Sequence, residues 1–559
     1  MRIASPSGHP LLTGLASVLS VLLVAFGLAA WRNLPPAPQA LDVPADVFSA
    51  HRAFPFLEEM VGDAIPHPNG SSQNDIVRER ILKAFREMGY APEVQEAIVD
   101  RRGRPFTVRN IMARLTGTLA ATGDAVRPRP PRSAVLLMSH YDSVPAGPGA
   151  SDAGLSVAVI LEVARLLRTA TPSRNDVIFL ITDGEEYGLL GARGFVAEHP
   201  WAQDAGVVVN LEARGTSGLS LMFETGERTA WLAGRMAGSL HHPATNSLMA
   251  AVYREMPNDT DLTVFLRAGY TGYNFAFIGD RQRYHTPADD LAHVDLRSFQ
   301  HQGENALALV RTMAESDLST LPQAGEAVWF DFLGSFLIWW PLPLTLPLGL
   351  LALALSVWLL LRLRQRGGLS IGRALIGFVQ SLLLAGAAFG ASWLFARLAR
   401  TLGWIVGRNA AAPAAVVSGF WLTALLGAVL AVSFLSRWSR NSRCAGLVWG
   451  SGALWTLLAL IAVLLFPQGS FLLLVPALFA TVAGLVATGI PSNVSALNTT
   501  LLRATLLTLF LTACLWLPLE FLFYQALGLA PTWITAARPA LVSVLAAPLL
   551  GFRDMHEQH

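Results

Sequence analysis

The chain has 559 residues, longer than one ordinary domain. Its 53% hydrophobic and only 14% charged residues set it well below the about 25% charged content of soluble domains. A formal net charge of +2 provides no electrostatic footprint for nucleic acid, so no nucleic-acid partner is expected.

The charge deficit is uneven. Most charges fall between about residue 32 and residue 330, so the composition averages a soluble part and a membrane part. The two cysteines, Cys444 and Cys514, both lie in the apolar part. The soluble part therefore has no disulfide and no thiolate metal ligand, and any metal there must be held by His, Asp and Glu. Lys83 is the only lysine among many arginines, a bias that points to a GC-rich bacterial genome.

Residues 11–31 form an uncharged stretch after Arg2, long enough to span a bilayer, which takes roughly 20 residues. A cleaved signal peptide is the competing reading. The length of the apolar run favours a retained anchor over residues 1–32, and both readings export the soluble part. Residues 33–48 are rich in Pro and Ala and read as a linker.

Residues 49–325 read as one α/β domain. Segments 133–139, 176–182, 206–211 and 271–278 are short apolar runs of the kind that become buried strands of a mixed, largely parallel sheet in a three-layer α/β/α arrangement. Helical periodicity covers 74–88, with Asn74 or Asp75 as N-cap, and 154–169. From 326 to 559 the chain reads as a multi-span α-helical membrane domain of about seven helices. Its spans are 343–363, 374–396, 414–436, 444–466, 470–490, 500–523 and 534–552, and aromatic residues 328–340 sit at the interface. With a cytoplasmic N-terminus, Arg362, Arg364, Arg366, Arg373, Arg437, Arg440 and Arg443 face the cytoplasm, whereas Arg397, Arg400 and Arg408 fall outside. The balance places the α/β domain on the periplasmic or external side of a bacterial inner membrane, with the lipid bilayer as one partner.

The chemistry-bearing residues fall at the ends of the apolar runs. The first run enters Ser139-His140-Tyr141-Asp142, the second Thr182-Asp183-Gly184-Glu185-Glu186, the third Asn210-Leu211-Glu212. In an open α/β sheet such positions share one ligand-binding edge. Asp152, in a Gly-rich loop before a helix, folds back over it. Carboxylates gathered in a cleft repel one another, and a divalent cation relieves the repulsion. Imidazole and carboxylate without thiolate suit catalytic zinc. Two ions about 3.5–4 Å apart need a bridging carboxylate, and Asp152 is the natural bridge.

The motifs SHYDS (139–143), GASDAG (149–154), DGEEYGLLGARGF (183–195), NLEARG (210–215) and RYHTPADD (283–290) resemble the M28 family of zinc aminopeptidases. The match is to its membrane-bound branch of endoplasmic reticulum metallopeptidases and vacuolar membrane proteases. Segments 65–81 and 257–265 are similar to that branch too. The resemblance implies two zinc ions per chain, one held by His140 and Glu212, the other by Glu186 and His285, with Asp152 between them. It implies Glu185 as general base, Tyr284 as oxyanion donor, and Asp142 as the acceptor that fixes the His140 tautomer. It also implies a peptide substrate cleaved by an aminopeptidase. Glu212 stands where many members carry Asp. Asp259 and Asp261 line the substrate pocket or serve a turn. Two alternatives remain open: single-zinc acyl transfer of the glutaminyl cyclase kind, and a non-catalytic peptide-binding or transport domain.

Overall fold

The computed structural model describes residues 10–121, 132–318, 325–366, 369–406, 409–410, 413–438, 444–489, 493–529 and 532–551. Arg2, Arg408, Arg440 and Arg443 lie outside the described residues. The chain divides into two compact units, Asn33–Leu342 and Met1–Arg32 with Pro343–His559.

After α1 (Pro10–Arg32), which belongs to the second unit, come α2 (Ala50–Val61), α3 (Ser72–Glu87), β1 (Glu93–Arg101), β2 (Arg104–Leu115) and the one-turn α4 (Thr118–Ala121). Next are β3 (Ala134–His140), α5 (Ser156–Arg168), β4 (Asp176–Thr182), α6 (Leu190–Glu198), β5 (Ala205–Ala213), β6 (Leu221–Thr225), α7 (Thr229–Ser239) and α8 (Ser247–Arg254). The first unit closes with α9 (Asp261–Arg267), β7 (Gly272–Phe277), α10 (Leu296–Ala314), β8 (Ala327–Phe332) and β9 (Phe336–Pro341).

Seven strands form one sheet in the order β1-β2-β4-β3-β5-β7-β6. The central four, β4-β3-β5-β7, are parallel, and β1, β2 and β6 pair antiparallel at the edges. The sheet is covered on both faces. Along β3, Val135 and Leu137 pack into the core under α2, α3, α5 and α10, whereas Leu136 and Met138 pack towards α6 and α9. Successive strand side chains point to opposite faces, so a strand buried on both sides reads as an unbroken apolar run. This is the three-layer arrangement expected from the sequence, with the antiparallel hairpin β1–β2 and edge strand β6 added.

Three boundaries differ from expectation. Helix α3 starts earlier, because the Ser71 hydroxyl accepts from Asn74 N (3.1 Å) and caps it. The expected linker 33–48 is part of the first unit. Gln300 on α10 accepts from Gln39 N (3.1 Å) and Ala50 N (2.9 Å), and Phe48 is buried. The hairpin β8–β9 also belongs to this unit, so the boundary falls after Leu342 rather than at 325. Its β8 residues are buried, and Trp329 Nε1 donates to Thr245 Oγ1 (3.0 Å). An aromatic run is ambiguous between a membrane interface and a packed strand until its partners are known.

The second unit contains α1 and α11 (Thr345–Gln365), α12 (Ile371–Thr401), α13 (Pro413–Trp438), α14 (Cys444–Leu465), α15 (Phe471–Gly489), α16 (Val494–Leu527) and α17 (Thr532–Gly551). All eight are long and apolar enough to cross a membrane. Helices α12 and α14 approach at Gly377 and Gly446, where a Cβ on Gly377 would stand 2.0 Å from the Gly446 carbonyl oxygen. Small residues permit such contacts where lipid supplies no hydrophobic drive between helices. Helices α16 and α17 are joined by Glu520 and Arg538 (3.0 Å).

Candidate metal centre

The parallel strands determine which residues meet. His140 ends β3 in register with Thr182, the last residue of β4. Glu212 lies near the end of neighbouring β5, and His285 comes after β7. The carboxyl ends of adjacent parallel strands thus deliver all these groups to one edge.

Asp152 enters from the turn Ala150–Leu155, whose backbone leaves helical geometry at Asp152 and Ala153. The Asp152–Ala153 peptide is cis. Gly149 opens this turn at φ +66, and a Cβ there would stand 2.6 Å from the Asp152 carbonyl oxygen, so glycine is needed for the close return. Asp289 holds the turn from outside: its carboxylate accepts from Ser151 N (2.8 Å) and Asp152 N (3.1 Å).

Each Asp152 oxygen faces a different histidine. Oδ1 lies 3.4 Å from His140 Nε2, which also stands 3.5 Å from Glu212 Oε2. Oδ2 lies 3.1 Å from His285 Nε2, which also stands 3.0 Å from Glu186 Oε1. Two groups share Asp152, His140–Asp152–Glu212 and Asp152–Glu186–His285, and a third, His140–Glu185–Glu186, lies between them; the ligand atoms of each lie within 4.8 Å of one another. His285 Nε2 is shut off from solvent yet has no hydrogen-bond partner of good geometry. That is how atoms look when they converge on a common point rather than pair as donor and acceptor. The donor set therefore fits zinc, with Asp152 common to two of the groups.

Electrostatics agree. Burial pushes Glu186 up to about 7, with the Asp152 charge adding to it. Burial opposes protonation of His285, but Asp152 and Glu186 outweigh it and raise the imidazole to about 10. Burial also works against ionised Asp152, yet His140 and His285 hold it down at about 2. Without a cation, these groups must share protons to tolerate one another.

Glu185 is close to His140 and Glu186. Burial drives its carboxyl well above the usual range, with Glu212, Asp261 and Glu186 adding to the push. Such a group can take up a proton and return it. Tyr284 shares a cleft with Glu185 and Glu186 and stacks on His285 with ring centroids 3.7 Å apart. His285 itself sits at φ +59, a left-handed conformation that histidine tolerates better than most residues.

Asp142 acts differently from expectation. His140 Nδ1 lies 3.0 Å from the Asp142 backbone carbonyl, and the Asp142 carboxylate is 3.6 Å away. The carboxylate instead accepts from Glu185 N (3.0 Å) and Glu186 N (3.3 Å). Asp142 thus fixes the His140 tautomer through its main chain and holds the Glu185–Glu186 loop with its side chain.

Other participants surround these groups. Asn210 Nδ2 donates to Glu212 Oε1 (3.0 Å) and to Asn274 Oδ1 (3.0 Å), leaving Glu212 Oε2 directed at His140. Asn274 in turn donates to Glu224 (2.8 Å). Asp261 is fully buried and accepts from the Thr182 hydroxyl, while Asp259 is exposed and pairs with Arg267. Among the supporting residues, Asn210 and Asp289 lay within quoted motifs, NLEARG and RYHTPADD, and Asp261 within segment 257–265, whereas Asn274 and Glu224 lay in none.

Residues 122–310 match the profile of peptidase family M28. Mouse endoplasmic reticulum metallopeptidase 1 is 31% identical over 309 residues, 53% of this chain and 34% of that protein. The vacuolar membrane protease of Candida albicans (strain WO-1) is 32% identical over 277 residues, 48% of this chain and 31% of that protein. The chain spans about a third of the length of these curated relatives. Both are named for eukaryotic membranes and lend no support to the bacterial inner membrane expected from composition. Among solved structures, Porphyromonas gingivalis glutaminyl cyclase is 21% identical, with 47% of this chain and 98% of that one covered at TM-score 0.38. A Zn-dependent exopeptidase from Parabacteroides distasonis is 18% identical, with 48% and 99% covered at TM-score 0.38.

Proposed function

We propose, from the match of residues 122–310 to the profile of peptidase family M28, that the chain is a membrane-anchored zinc peptidase, an aminopeptidase that holds two ions. The observation that carries the reading is the division of Asp152 between two ligand groups, one oxygen towards His140 and Glu212, the other towards His285 and Glu186.

Zinc bound there would supply Lewis acidity, making water nucleophilic near neutral pH and polarising a carbonyl. The chain's own residues do the rest. Glu185 takes a proton from the attacking water at its carboxylate and passes it to the departing amine nitrogen. Tyr284 donates its phenolic hydrogen to the oxygen that gains charge as the carbonyl becomes tetrahedral. Asp142 keeps Glu185 and Glu186 in place through their N–H groups. The arginine balance of the membrane part in the sequence supports a non-cytoplasmic side for this chemistry.

The test uses the purified full chain in detergent, with metal content and peptide-library cleavage measured on one sample. Glu185→Gln should keep its zinc and lose about 100-fold or more in kcat, the range for a positioned acid–base group. Unchanged hydrolysis would remove Glu185 from its role, and hydrolysis that survives exhaustive chelation would end the zinc reading. One zinc per chain together with cyclisation of N-terminal glutamine would replace it by acyl transfer.

A further inference from the structure

We infer that the cleft beside the ligand cluster selects substrates bearing a carboxylate near the cleaved bond, and that Arg101 and Arg193 recognise it. The inference rests on the peptidase reading above. The cleft has a volume of about 660 Å³ and is shared by Glu185, Glu186 and Tyr284 with Arg101 and Arg193. That volume accommodates only a few amino-acid residues, so a group bound by the arginines lies close to the reacting carbonyl. Leu189 and Val264 are the larger apolar residues of the wall, too little surface to reward a large hydrophobic side chain.

Both arginines are held in place by local structure. Arg101 ends β1, and the chain then turns through Arg102 and Gly103 at φ +53 and +79. Arg193, on α6, donates from Nη2 to the Asp100 carbonyl (3.0 Å) beside Arg101, and both side chains line the cleft. Arg101 lies across Gly188: a Cβ there would stand 3.3 Å from Arg101 Nε. Gly188 N donates to Glu185 O (2.8 Å), so Arg101 rests on the loop that carries the proposed base.

Their charges are uncompensated. A third arginine of the cleft, Arg267, is neutralised by Asp259 at 2.9 and 3.0 Å. Among the described residues Arg101 and Arg193 form no ion pair. Glu185 and Glu186, which also line the cleft, are committed in the proposed function to proton transfer and metal binding. Two guanidinium forks with unused donors in one cleft match a carboxylate, which accepts two parallel hydrogen bonds. The carboxylate comes from an acidic side chain or from the C-terminus of a short peptide.

The experiment uses the zinc-loaded full chain and matched peptides with Glu or Gln at each position flanking the bond, each with a free and an amidated C-terminus. The parent should cleave a carboxylate-bearing peptide about tenfold or more better in kcat/KM, the scale of a hydrogen bond to a charged group. A preference that persists after amidation assigns the side chain, and one that vanishes assigns the C-terminus. Arg101→Gln with Arg193→Gln should bring the ratio towards one. Arg101→Glu with Arg193→Glu should turn it towards Lys peptides. Equal cleavage of all peptides by the parent, or a ratio unmoved by the substitutions, overturns the inference and leaves the peptidase reading intact. If the parent cleaves nothing, the peptidase reading fails. Calorimetric binding of the same Glu and Gln peptides then decides the inference: a Glu preference lost in the double variant upholds it, and equal binding overturns it.

Discussion

Glu212 is directed by a residue that never touches the metal position. Asn210 holds Glu212 Oε1 and leaves Oε2 facing His140. Removing this support should weaken only the half of the site built by His140 and Glu212. Asp289 supports the turn of Asp152, which both halves share. Outer hydrogen-bond partners are worth about 10–100-fold in metal affinity. Asn210→Ala should therefore weaken one zinc by that factor, whereas Asp289→Ala should weaken both. Chelator competition with metal analysis checks this, and loss of both ions in Asn210→Ala would contradict it. The longer Glu212 also becomes intelligible at this scale. Its extra methylene lets one oxygen reach Asn210 two residues earlier while the other faces His140. The sequence marked Glu212 as a departure from the family, but Asn210 could not be recognised until its amide was seen between Glu212 and Asn274.

At the scale of elements, α16 and α17 share an ion pair between buried Glu520 and half-buried Arg538. Removing one partner of such a pair leaves an uncompensated charge and costs about 3–5 kcal/mol. Replacing both with apolar groups of similar size is often neutral. Glu520→Gln should lower the unfolding midpoint of the helical unit, and adding Arg538→Met should restore much of it. A double substitution no more stable than the single one would show that the pair is not acting as a unit. The spans themselves were legible, since a run of about 20 apolar residues is a local property. The same holds for β3, β4, β5 and β7, whose continuous apolar runs mark strands buried on both faces. The β8–β9 hairpin was not legible in this way, because its aromatic residues suit a membrane interface as well as the packing of Trp329 against Thr245.

For the whole molecule, metal should matter to one unit and not the other. The proposed ligand residues all belong to Asn33–Leu342, and among the described residues the second unit is a helical bundle with no such group. A ligand that binds only the folded state stabilises it by RT ln(1 + [L]/Kd), about 4 kcal/mol at a thousandfold excess over Kd. Exhaustive chelation should lower the thermal transition of the first unit and leave that of the helical unit in place. Hydrogen exchange on the full chain would separate the two. Equal loss of protection in both units would mean that the ions stabilise more than the site.

The sequence by itself marked the candidate residues and their order. His140, Asp152, Glu186, Glu212 and His285 were recognisable because each ends an apolar run or lies in a short motif, and such patterns are local. The eight apolar spans were readable for the same reason. The tertiary structure decided what no local pattern encodes. The strand order β4-β3-β5-β7 brought residues distant in sequence to one edge. It left one Asp152 oxygen for each histidine and turned the Asp142 carboxylate to the Glu185–Glu186 loop. It also set Arg101 and Arg193 on the wall of the same cleft. Those relations depend on which elements are neighbours, and neighbours are chosen by burial of the whole sheet rather than by any segment alone.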